Sequence, residues 1–86
     1  MFSLNNKTAV ITGGGSGIGK AVAELFASRG AFTCILELNK SNAVDTVKSI
    51  EGKGGKAKAF EVDVTNQEQV KGSIEEIVRQ SGRIDI

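Results

Sequence analysis

An α/β fold, with a parallel sheet covered by helices on both faces, is predicted by three features of this 86-residue sequence. Short, almost wholly apolar runs alternate with longer amphipathic stretches, the rhythm of βαβ units. The apolar runs lack the polar alternation of a sheet with one wet face, so both faces of the sheet are expected to be buried. Glycines, 11 in all against no proline, stand where one kind of segment gives way to the other.

The elements follow in order. Lys7 to Thr12 is apolar, partly β-branched and stopped by Gly13-Gly14-Gly15, which reads as a buried strand. From Gly17 to Arg29, Ile18, Val22, Leu25, Phe26 and Arg29 recur at helical spacing, with Ala21, Ala23 and Ala27 between them and Gly30 as the stop. Phe32 to Leu38 is a second strand, apolar until Glu37. Ser41 is the expected cap of a helix in which Val44, Val47, Ile50 and Glu51 follow at helical steps until Gly52. Ala57 to Val62 forms a third strand. Thr65 and Glu68 have capping-box spacing and precede a stripe of Val70, Ile74, Ile77 and Val78, a helix over Asn66 to Ser81. Ile84-Asp85-Ile86 opens a fourth strand that is cut short. With right-handed crossovers and strand order 3-2-1-4, the first two helices lie on one face and the third on the other. That arrangement is a doubly wound parallel sheet of the Rossmann type. Residues 1–86 form the N-terminal βαβαβα(β) part of one such domain, with no linker dividing them.

Composition narrows the function. Lys plus Arg number 11 and Asp plus Glu 10, a net charge of +1, which gives no electrostatic reason to expect nucleic acid or an acidic membrane as partner. There is no His and a single Cys, so neither a zinc site of the usual ligands nor an internal disulfide can form. No apolar stretch approaches the length of a membrane span, and the N-terminus lacks the charged-then-apolar order of a signal peptide. A cytoplasmic protein is expected.

The turn after the first strand, Thr12-Gly13-Gly14-Gly15-Ser16-Gly17-Ile18-Gly19, joins a strand to a helix N-terminus. Such a junction presents unpaired N–H groups and the positive end of the helix dipole, and so favours a phosphate. Gly13 allows the tight turn, Gly17 lets the backbone approach a pyrophosphate, and Gly19 lets the helix pack close. A merely flexible glycine loop is the plainer alternative. Two better-known patterns fail: G-x-G-x-x-G finds no glycine at position 18 or 20, and the P-loop pattern reaches Gly19-Lys20 but then meets Ala21 where a metal-binding hydroxyl belongs.

The pattern present is T-G-x-x-x-G-x-G, which resembles the cofactor loop of the short-chain dehydrogenase/reductase family. Glu37 closes the second strand roughly 20 residues past the loop, where a carboxylate can accept both hydroxyls of an adenosine ribose. Asp63-Val64 follows the third strand, where members of that family hold the adenine ring. Gly82-Arg83-Ile84-Asp85-Ile86 is similar to the family's lead into its fourth strand, so the likeness runs from Lys7 to Ile86. It implies an oxidoreductase that moves a hydride between a nicotinamide and an alcohol or carbonyl. The cofactor contacts it implies are Gly13, Ser16, Gly17, Ile18, Gly19, Glu37, Leu38, Asp63 and Val64.

Charge selects among nicotinamide cofactors. A 2′-phosphate against Glu37 would be repelled, whereas a free 2′-hydroxyl can donate to it, so NAD(H) is expected over NADP(H). No basic residue stands in the loop, where Ser16 precedes Gly17, or directly after Glu37, where Leu38 and Asn39 follow. Simpler alternatives remain at each position. Glu37 can be a solvated strand end, and Asp63 can cap the turn after its strand, a role compatible with an adenine contact. Cys34, between Thr33 and Ile35 in mid-strand, reads as a core residue. Lys40, Lys53, Lys56 and Lys58 read as solubilising charges.

The resemblance also defines what the 86 residues lack. In that family an Asn-Asn-Ala-Gly segment, a Ser and a Tyr-x-x-x-Lys motif follow the cofactor half, and the Tyr handles the substrate proton. This sequence contains no Tyr, so no catalytic residue is named and the 86 residues alone are expected to be inactive. Two readings follow: the front of an NAD-dependent oxidoreductase, or a stand-alone, non-catalytic nucleotide-binding or interaction module. A stop inside a predicted strand favours the first, because domain boundaries fall in exposed linkers. With the sheet edge beside the first strand uncovered, an isolated fragment is expected to pair through that edge or to be only marginally stable, and a homo-oligomer is expected of the parent enzyme.

Overall fold

In the computed structural model, which describes residues 3–15 and 17–86, three parallel strands and three helices alternate in the expected order. They are β1 (Thr8–Thr12), α1 (Gly17–Ser28), β2 (Phe32–Glu37), α2 (Lys40–Gly52), β3 (Lys56–Glu61) and α3 (Gln67–Ser81). β2 is central, with Ala9 opposite Thr33 on one side and Ala57 opposite Thr33 on the other. The spatial order is therefore 3-2-1. The fourth position is marked by the tail. The N–H groups of Asp85 and Ile86 donate to Thr8 O, and Val10 N–H donates to Ile86 O, at 2.8, 3.2 and 3.0 Å. Groups of Thr8 and Val10 face this tail, while Lys7 O and Gly13 N–H face β2, so the tail lies along the opposite edge of β1.

The sheet is wound on both sides. Ile35 packs with Ala23 and Ala27 of α1 and Ala43 and Ile50 of α2, with Ile11, Ala57 and Ala59 beside them. The other face sets Cys34 and Leu36 against Ile77 of α3, with Val62, Val10, Phe32, Phe60 and Ile84 around them. Alternate residues of one strand thus serve opposite helix layers. This explains why β2, with its four central residues buried, reads as one apolar run.

Three local expectations are corrected. The inward stripe of α1 is Ala23 and Ala27, while Ile18 and Leu25 are 85% and 45% exposed. Small residues are needed there because α1 packs closely on both the sheet and α2. α2 is capped by Asn39, not Ser41. Its Oδ1 accepts from the N–H groups of Ser41 and Asn42 at 3.1 and 3.3 Å, because β2 ends at Glu37 and the helix begins a residue before Ser41. α3 is capped by Asn66, which accepts from Gln69 N–H at 3.1 Å. Thr65 is drawn away from that role by Asp63, whose Oδ1 takes both its N–H and its hydroxyl.

Candidate functional site

The carboxyl ends of the three strands bring the sequence-predicted positions to one edge of the sheet. β1 runs into the glycine loop, β2 ends at Glu37 with Leu38 beyond it, and β3 leads through Val62 to Asp63 and Val64. Open α/β sheets bind ligands at this edge. Three of its apolar side chains stand in the open: Ile18, Leu38 and Val64 are 85%, 67% and 53% exposed. Ser16 lies outside the described residues.

The loop is shaped by its glycines in two different ways. Gly13 and Gly17 carry positive φ, +66° and +59°, and a Cβ on either would meet nothing within 4 Å, so their need is conformational and their surroundings are open. At Gly19 the constraint is space. A Cβ there would collide with the Gly13 carbonyl and lie 3.2 Å from Gly14 Cα, so the first turn of α1 rests on the backbone of the β1 turn. Gly14 and Gly15 are buried between these points. A Cβ on Gly14 would come within 2.8 Å of Ile35 Cγ2, and one on Gly15 within 2.6 Å of Asn42 Cβ. The middle of the loop is thereby pressed against β2 and the start of α2.

Two polar contacts hold that middle in place. Gly15 N–H donates to Glu37 Oε2 at 3.1 Å, and the Thr46 hydroxyl, fully buried in α2, donates to Gly14 O at 2.9 Å. Half-buried Glu37 thus faces the loop, and its Oε1 lies 3.5 Å from Asn39 N. Gly14, Gly15 and Thr46 were not singled out in the sequence. A run of three glycines signals the loop but not which of them is packed, and Thr46, on the buried face of α2 with Ala43 and Ile50, is a polar residue that apolar spacing does not pick out.

At the third strand end, the Thr65 hydroxyl and then its N–H hold the Asp63 carboxyl below the usual carboxylate range. Asp63 N–H in turn donates to Gln69 Oε1 at 2.9 Å, which ties the strand end to α3. Cys34 takes no part in this edge. It is fully buried among Leu36, Val62 and Ile77, and burial pushes its thiol up to about 11, far from a reactive thiolate. Lys53 reaches Glu24 at 3.8 Å, and Lys58 lies over Phe60 at 5.5 Å, both away from the loop. Among the described residues, no group of three or more His, Cys, Asp or Glu could hold a metal ion, and no helix is long and apolar enough to cross a membrane.

A parallel sheet of order 3-2-1 with a glycine turn at the carboxyl end of β1 defines a Rossmann-type nucleotide-binding protein. The family model for short chain dehydrogenase matches residues 7–86, and the chain belongs to that family. It is 45% identical to an uncharacterised oxidoreductase of Bacillus subtilis, YxbG, over all of this chain and 32% of that protein. It is also 42% identical to the short-chain dehydrogenase/reductase homolog YusS of the same organism, over 99% of this chain and 79% of YusS. Among solved structures, a 7α-hydroxysteroid dehydrogenase in complex with NADH matches 96% of the chain with a TM-score of 0.93 and 34% identity, over 32% of its own length. A metagenomic short-chain oxidoreductase in complex with NADP matches 96% of the chain at 0.94 and 25% identity, over 38% of its length. The chain thus spans about a third of YxbG and of both solved enzymes.

Proposed function

We propose that this chain is the dinucleotide-binding part of a cytoplasmic, NAD(H)-dependent short-chain oxidoreductase. The observation that carries this reading is the Glu37 carboxylate, 3.1 Å from the loop at Gly15 and set at the carboxyl end of the central strand. The residues present suit the cofactor. Open space beside Gly13 and Gly17 admits a pyrophosphate to the backbone, and Gly19 lets α1 start against the loop; Ser16 and Ile18 are the further phosphate-side contacts of this reading. Glu37 and Leu38 receive the adenosine ribose, with the carboxylate accepting from its hydroxyls. Asp63 and Val64 border the adenine, whose flat apolar faces suit the exposed Leu38 and Val64 side chains.

The bound nicotinamide would donate or accept a hydride against an alcohol or carbonyl. The 86 residues include no Tyr, the residue that handles the accompanying proton in the family the sequence resembles. The catalytic part is therefore assigned to sequence C-terminal to this chain, and the 86 residues alone are inactive. The native enzyme is a homo-oligomer in this reading.

The test is a pair of titrations of the whole protein with NADH and NADPH at one ionic strength. NADH should bind at least about tenfold more tightly, a modest return on placing a carboxylate against the extra phosphate. Equal affinities would end the NAD preference, and no binding of either would end the dinucleotide reading. A second reading, a stand-alone non-catalytic module, draws support from YusS, of which this chain covers 79%. The intact mass of the natural product separates the two: a value near 9.0 kDa favours the module, and a much larger one the enzyme.

A further inference from the structure

We propose that Thr46 is a positioning residue for the phosphate loop, fixing the orientation of a single peptide unit from outside the glycine motif. The two contacts described above fall on the same peptide bond. Thr46 holds the carbonyl of Gly14, and Glu37 holds the N–H of Gly15, so the Gly14–Gly15 unit is gripped at both ends. Gly13, Gly14 and Gly15 lack the side chains that would restrict φ and ψ, so this stretch resists rotation of its peptide planes less than any other in the loop. Rotation of that plane would leave the buried Gly14 carbonyl without its donor and would turn the Gly15 N–H away from Glu37. Both the loop and the ribose carboxylate would then lose their setting. The Thr46 hydroxyl is shut away from solvent, and its other acceptor, Asn42 O at 3.3 Å, lies within its own helix. The hydroxyl therefore connects α2 to the loop before any cofactor arrives, which lowers the ordering cost of binding.

This proposal rests on the dinucleotide reading, and the test separates the two. Three variants of the whole protein are compared: T46V, which keeps shape and removes the hydroxyl; T46S, which restores it; and T33V, which removes another buried hydroxyl from the same sheet face. T46V should weaken NADH binding by about tenfold, the worth of one buried hydrogen bond. In turnover, KM for the dinucleotide should rise equally while kcat holds. T46S should recover most of that loss, and T33V should bind like wild type. Without cofactor, the Gly15 amide should exchange its hydrogen faster in T46V than in wild type. If T46V fails to fold, the wild-type protein still carries the test: its Gly15 amide must exchange more slowly than that of Gly17. Unchanged NADH affinity in T46V, an equal loss in T33V, or an unprotected Gly15 amide in wild type would overturn the clamp alone. A wild-type protein that binds neither dinucleotide would overturn the function it serves.

Discussion

The two edges of the sheet use the same devices to opposite ends. At the amino edge, polar groups are consumed by the chain itself. Asp85 accepts from Thr8 N–H at 2.9 Å and pairs with Arg83 at 3.1 Å, and the Arg83 guanidinium reaches Asn6 O at 3.3 Å. Leu4 N–H donates to Arg29 O at the end of α1. At the carboxyl edge, the glycine turn, a helix N-terminus and three exposed apolar side chains are left facing outward. Two open clefts lie at the amino edge, lined by residues such as Asn5, Gly30 and Gly55. What distinguishes the candidate site is main chain held in an awkward shape with its outer side open.

Glycine substitutions should break this contrast most sharply. G19A drives a Cβ into the backbone of Gly13, which cannot swing aside as a side chain can. The loop must then be displaced, and dinucleotide affinity should fall by about 100-fold, as expected if overpacking costs ~3 kcal/mol. G30A meets the Asn5 side chain and forces a Cβ onto a φ of +101°. That strain should cost ~1–3 kcal/mol of stability. The folded fraction of G30A should still bind within about twofold of wild type, since distant sites act independently. Equal binding losses in both variants, measured by titration at a temperature where each is folded, would erase the distinction between the edges.

Acid sharpens the comparison at smaller amplitude, because each edge carries one depressed aspartate. The Thr8 N–H lowers Asp85, with smaller help from Arg83 and Lys7, and the Thr65 hydroxyl and N–H lower Asp63. A carboxyl held below its unfolded value stabilises the fold above the ordinary range near pH 4 and loses that contribution as the pH falls through its folded value. D85N should therefore melt at a lower temperature than wild type at neutral pH, and lose less on going from about pH 4 to pH 2. D63N should behave likewise through the β3 turn. Melting curves parallel to wild type across that interval would remove the amino-edge assignment for Asp85.

The order of elements, the winding of the sheet and the edge that carries the candidate site were legible in the sequence, because each rests on a strong periodic or glycine signal. Glu37 was legible because a lone carboxylate ends an apolar run. The inward face of α1 was not, since period alone gives a stripe and not its phase. Ile18 fits the helical repeat yet faces out, while the less apolar Ala23 and Ala27 face in where space is short. The caps failed for a related reason. Ser41 and Thr65 are good capping residues, but Asn39 and Asn66 stand where the helices begin, and that is set by where β2 ends and by the Asp63 turn. Thr46 was illegible because its partner is a main-chain carbonyl more than 30 residues away in sequence.

The smallest expected effect concerns a second buried threonine. Thr33 and Thr46 are both fully buried, but Thr46 has an acceptor and the Thr33 hydroxyl finds none among the described residues. Burying an unpaired hydroxyl is unfavourable, and valine fills the same volume without it. T33V should therefore raise stability by about 1 kcal/mol in denaturant unfolding, with an unchanged m-value. T46V, the same chemical change nearer the carboxyl edge, should lower it. If both variants lose stability, Thr33 has an acceptor after all, such as a bound water, and the contrast between the two threonines reduces to the loop contact of Thr46 alone.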